Sequence, residues 1–155
     1  MAGQGHRVSE ADASYSVGTQ EWHYHLIAMA DDYFSKDERM PENLTREQVL
    51  DILTIARSQG TPPDFSAASL QGLDLADIDL HGALLRGADL RWTSLCRANL
   101  AEADLYGANL QGTNLQGANL GRANLSHAHL HRADLRAAYL VDAELEGTDI
   151  NKAVR

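Results

Sequence analysis

Between Ser66 and Arg155 a Leu or Ile recurs at every fifth position, from Leu70 and Leu75 through Leu140 and Leu145 to Ile150, seventeen in unbroken succession. No single helix face can bury such a series. A helix turns about 100° per residue, so residues five apart differ by roughly 140° and the leucines would wander around the axis. A straight strand fails too, because its side chains alternate faces and an odd spacing sends successive leucines to opposite sides. Both difficulties disappear if every five residues make one short extended piece and one corner, with each leucine pointing to a common axis. The period therefore predicts a solenoid.

The residues around each leucine agree. Two positions before it stands Ala or Thr, without exception from Ala83 to Thr148. In an extended piece that position faces the same side as the leucine, where a narrow interior has room for little more. One position before it come Asp89, Asn99, Asp104, Asn109, Asn114, Asn119, Asn124 and Asp134, residue types that hydrogen-bond local backbone near a turn. Two positions after it, Gly72, Gly82, Gly87, Gly107, Gly112, Gly117 and Gly147 suit a tight corner. This A-(D/N)-L-x-x pattern resembles the pentapeptide-repeat family. The resemblance implies an all-β solenoid: a right-handed, quadrilateral β-helix with about four pentapeptides per coil. Seventeen repeats would then make about four coils, a rod roughly 20 Å tall at a coil spacing of about 4.8 Å.

Ahead of the rod the chain changes character. Residues 1–20 are polar and without period, which predicts a disordered tail. Residues 21–60 are expected to hold a helical segment and the cap of the rod. Trp22, Leu26, Met29 and Tyr33 trace an amphipathic stripe within Glu21 to Lys36. Further on, Leu44-Thr45-Arg46-Glu47-Gln48-Val49 has the form of a helix start, with Thr45 as N-cap, Gln48 closing a capping box and Gly60 just past the far end. An uncovered solenoid end exposes its apolar axis and strand edges, so this helix is expected to cap the N-terminal coil. Leu73 and Ile78, larger than the usual Ala, would shape the first coil to meet it. Residues 61–155 form the repeat region, Asp64-Phe65 reading as a degenerate first repeat. The last repeat runs to the final residues still in phase, which leaves two expectations for that edge: charges that simply blunt it, or a homodimer through the C-terminal coil.

Composition narrows the function. The net charge of −9 argues against nucleic-acid binding, which needs clustered Lys and Arg. The acids concentrate ahead of residue 66, and residues 66–155 carry only eleven acids against eight bases. No apolar run approaches the length needed to span a bilayer, so no membrane partner is expected. The single Cys96 allows no internal disulfide and fits a reducing, cytoplasmic location.

Candidate sites are few. Trp92 beside Arg91 has the composition of a binding hot spot at a corner otherwise held by Gly72, Gly112, Arg132 and Lys152. Tyr139 and Val141, flanking Leu140, form an apolar patch. These four residues, Trp92, Arg91, Tyr139 and Val141, are the expected interaction surface for a protein partner. His127, His129 and His131 invite a metal reading, but no second shell supports them in the sequence and no metal or other cofactor is assigned. Asp74, Asp77 and Asp79 read as turn formers, because a rod filled by its own leucines offers no catalytic cleft. The chain is therefore read as a non-enzymatic protein–protein interaction platform. Two alternatives stand beside it. Family resemblance implies the first, since some pentapeptide-repeat proteins bind type II topoisomerases such as gyrase by imitating DNA. The second is a structural, self-associating unit.

Overall fold

The computed structural model describes residues 43–155. The tail expected over 1–20 and the helix expected within 21–36 lie outside the described residues. From Asp64 onward, single-residue parallel bridges join each position to the one twenty residues later, as in Asp79–Asn99, Asn99–Asn119 and Asn119–Tyr139. Four pentapeptides therefore complete one coil, and each pentapeptide is one side of a square. Among the described residues no side is long enough to form an extended strand. This corrects the expectation of an all-β solenoid in one respect: each coil is joined to the next through isolated bridges, because only one residue per side lies clear of the corners.

The repeat is explained by an accounting of its five backbone N–H groups. Leu100 donates to Asn119 in the next coil (2.7 Å), Glu102 to Gly121 (2.9 Å), and Asn119 back to Ala98 (2.9 Å), while Ala103 closes the corner onto Leu100 (3.1 Å). Coil stacking and the corner thus use four donors and leave one, on the residue just after the leucine. The Asp or Asn before the leucine takes it: Asn99 Oδ1 accepts from the Ala101 N–H and Asn109 Oδ1 from Gln111. The same bond recurs at Asp64, Asp74, Asp79, Asp89, Asp104 and Asn114 and at every later repeat with Asp or Asn in that place. The preference for Asp and Asn is a preference for a short side chain that can satisfy the leftover donor.

The central leucines from Leu70 to Leu125 are fully sealed, with Phe65 taking the leucine's place in the first repeat. The inward small residues fill what remains. Where Thr replaces Ala, its hydroxyl donates to a leucine carbonyl one coil down, Thr93 to Leu70 (2.7 Å) and Thr113 to Leu90 (2.6 Å), so that among the described residues no buried side-chain nitrogen or oxygen is left unpaired.

Helix α1 spans Arg46–Gln59, with the capping box at Thr45 and Gln48 and a left-handed Gly60 at its end. Its buried face, Val49 and Leu53, belongs to the same apolar cluster as Phe65, Leu70, Leu75 and Ile78. The carbonyls of Ser69, Asp74 and Asp79 are of the kind that elsewhere accept from the coil below. Here they accept from the Leu44 N–H (2.9 Å), the Arg46 guanidinium and the Arg57 guanidinium (2.9 Å).

The far end departs from the expected phase. Asp149 opens a 3-10 turn over Ile150–Lys152. The bridge His129 would make to position 149 is missing, and the ladder resumes only at Asp134–Val154. Ile150 keeps the period while the backbone around it leaves the coil.

Candidate interaction surface

Every corner between residues 67 and 147 places its second residue at positive φ, from 56° to 70°, with the hydrogen bond across the corner that marks a type II turn. Seven of these are the expected glycines. Ten are not: Ala67, Asp77, Trp92, Arg97, Glu102, Arg122, His127, Arg132, Ala137 and Asp142. A left-handed corner aims its side chain outward and along the rod, so large residues there lie on the neighbouring coil.

Trp92 shows the consequence. Its ring covers the corner at Gly112 so closely that a Cβ on that glycine would stand 2.2 Å from two ring carbons. The ring's outer face remains open, leaving Trp92 53% exposed. Arg91 beside it forks onto Asp89 through bonds of 2.8 and 2.6 Å. That hydrogen bond is the main reason the Asp89 carboxyl is held below the usual carboxylate range, against a smaller opposing effect of burial.

Tyr139 and Val141 are 56% and 50% exposed. The Tyr139 ring lies against Gly121, where a Cβ would meet it at 3.0 Å. The four expected surface residues do not form one patch. Val141 lies fifty positions beyond Arg91, two and a half coils in a twenty-residue register, and so on the opposite side of the square.

A third surface cluster went unread in the sequence. The Arg86 guanidinium sits 4.8 Å from the Tyr106 ring centre, and the Tyr106 ring meets His127 edge-on at 5.3 Å. His127 in turn covers Gly147. Arg86 and Tyr106 are twenty residues apart and could have been paired by column. His127 is offset by one more, because it holds the second corner position and Tyr106 the first.

Eight copies of the family model for pentapeptide repeats match the chain across 64–154. The chain belongs to the pentapeptide repeat family. Pentapeptide repeat proteins form right-handed, four-sided β-helices and serve in general as structural or interaction proteins. Among solved structures, the chain is 31% identical to a pentapeptide repeat protein from the thylakoid lumen of Arabidopsis thaliana, with a TM-score of 0.56, covering 58% of this chain and 63% of that one. It is 35% identical to Rfr23 from the cyanobacterium Cyanothece 51142, with a TM-score of 0.45, over 78% of this chain and 69% of that one. QnrB1, a plasmid-mediated fluoroquinolone resistance protein, is 24% identical with a TM-score of 0.56, over 59% and 44% of the two chains. The chain thus spans less than two thirds of the first and third of these proteins. Comparison with curated protein sequences gives no match.

Within this pentapeptide-repeat rod the remaining candidates have local roles. Asp77 takes a two-bond grip from Arg97 (both 2.7 Å), Asp79 binds Arg57 (2.7 Å), and Asp74 holds its own corner. His129 and His131 stand exposed on the side that Trp92 borders. Among the described residues no group of three or more His, Cys, Asp or Glu could hold a metal ion, and no helix is long and apolar enough to cross a membrane.

Proposed function

We propose that this protein is a cytoplasmic, non-enzymatic platform for protein–protein interaction, a right-handed four-sided rod whose N-terminal coil is capped by α1. One observation carries the reading: among the described residues the rod is filled by its own leucines and alanines, which leaves no cleft inside it, while aromatic side chains lie against outer corners at Gly112 and Gly121. Rings fixed on glycine before binding lose little conformational entropy on binding, which favours them as anchors. Capture from the native host's lysate tests the platform. A partner should be retained by a chain lacking residues 1–43 and released by Trp92→Ala or Tyr139→Ala without a collapse of the melting temperature. Retention lost with 1–43, or no partner at all, counts against the rod as the binding element. A concentration-dependent mass without a partner would favour the self-associating unit.

The cap role rests on the three first-coil carbonyls that α1 and its flank satisfy. Deleting residues 44–60 should leave them bare beside Phe65 and Leu70 and turn a soluble protein into aggregates in size-exclusion chromatography. A soluble, cooperatively folding deletion would end that assignment.

Imitation of DNA is less well supported. Arginines neutralise Asp77, Asp89, Glu102, Asp104 and Asp134, which interrupts any continuous acidic face. No change in gyrase supercoiling at micromolar protein is the expected result.

A further inference from the structure

One side of the rod differs in charge from the protein that carries it. It is the side of Asp89, Asn109 and His129, bordered by the corners at Arg86 and Tyr106 and, across from them, at Trp92 and Arg132. From residue 86 to residue 132 this side holds Arg86, Arg91 and Arg132 against the single carboxylate Asp89, together with His127, His129 and His131, whereas the whole chain is at −9. Of the arginines among the described residues, Arg132 alone has neither an ion pair nor a side-chain hydrogen bond: Arg57, Arg86, Arg91, Arg97, Arg122 and Arg136 hold carboxylates, Arg46 a carbonyl and Arg155 an amide. Arg132 stands in the column directly above Gly112, the corner that the Trp92 ring covers.

Resting on the platform reading above, we propose that this side is the docking surface, and that its partner is an acidic protein segment bound in extended form along the rod. The open guanidinium accepts a carboxylate with two parallel hydrogen bonds. The outer face of Trp92, whose corner lies forty residues or two coils away, about 10 Å, receives an aromatic or aliphatic side chain. On an extended chain, residues two and four apart share a face at roughly 7 and 13 Å, on either side of that distance. The partner's signature is therefore a carboxylate two or four residues from an apolar side chain. The side of Tyr139 and Val141 is not part of this surface.

Selection of displayed random twelve-residue peptides on the full chain tests this, with affinities then read by fluorescence polarisation. The recovered peptides should carry an acid two or four residues from an apolar side chain, lose at least ten-fold in affinity on Arg132→Glu, and bind Tyr139→Ala as they bind the parent. Melting temperatures check that Arg132→Glu still folds. Peptides without acidic enrichment, or indifferent to Arg132→Glu, overturn this surface and leave the platform reading standing, as does loss on Tyr139→Ala instead. Failure to recover any peptide overturns the surface, and joined to a failed lysate capture it overturns both. A ten-thymidine oligonucleotide that binds more tightly than every peptide, and is likewise lost on Arg132→Glu, overturns the protein partner.

Discussion

The middle coils and the last coil are built from one pentapeptide, yet they treat its leucine differently. Leu100, Leu105 and Leu120 are sealed, whereas Leu140, Leu145 and Ile150 are half-buried, as are Ala138, Ala143 and Ala153 beside them. The first coil resembles the middle: Phe65 and Leu70 are buried there, in one apolar cluster with Val49 and Leu53 of α1. What seals a leucine is therefore not its own repeat but the groups packed against it. The corners show the opposite behaviour, for φ at Gly82 and at Ala137 differs by only a few degrees, 64° and 57°. Burial is a property of neighbours, and turn geometry is a property of each pentapeptide.

The largest test of that distinction replaces leucines. Leu105→Ala should lower the unfolding free energy by about 2–5 kcal/mol, the usual cost of a cavity in a closed core. Leu145→Ala, whose side chain already meets solvent, should cost about 1–2 kcal/mol, since less area leaves water on folding and the site can relax. Urea denaturation of both variants measures the difference. Equal losses would mean that the last coil is as well covered as the middle ones.

Corner substitutions should follow the other rule and be indifferent to place. A Cβ at Gly82 meets nothing within 4 Å, so Gly82→Ala adds conformational strain alone and should destabilise by about 1 kcal/mol. Ala137→Gly relieves the same strain and should stabilise by a similar amount, although it sits in the half-covered coil. Thermal melts that show the gain at Ala137 vanishing would tie corner strain to coil position after all.

Much of this was legible in the sequence, and for one physical reason: a solenoid repeats its environment, so period and environment coincide. The five-residue step, the inward Ala and Thr and the helix from Thr45 to Gly60 all follow from local rules. Three features did not. The positive φ of ten non-glycine corners escaped notice because glycine is sufficient for that conformation but not necessary when two coils hold the backbone. The Tyr106–His127 contact crosses a corner, so it breaks the twenty-residue column that pairs Arg86 with Tyr106. The 3-10 turn after Asp149 hides behind Ile150, which keeps the period while the backbone abandons the bridge.

The smallest effect concerns acid. Asp89 with Arg91, and Asp134 with Arg136, form the same pair two residues apart, one in a sealed coil and one at the edge of the half-covered coil. In both, the arginine hydrogen bond is the main cause holding the carboxyl below its ordinary range. A depressed carboxylate stabilises the fold above its unfolded pKa of about 3.9, and that contribution is lost as pH falls through the lower folded value. Melting temperature should therefore be insensitive to these pairs above about pH 5 and decline below about pH 4. Asp89→Asn and Asp134→Asn keep an oxygen for the corner N–H and remove only the charge, so each should melt slightly lower than the parent at neutral pH and converge with it in acid, once pH falls through the lowered folded value. Because the pairing is local, the two differences should match. A clearly larger difference at Asp89 would show that coil covering strengthens the ion pair as well as the leucine core.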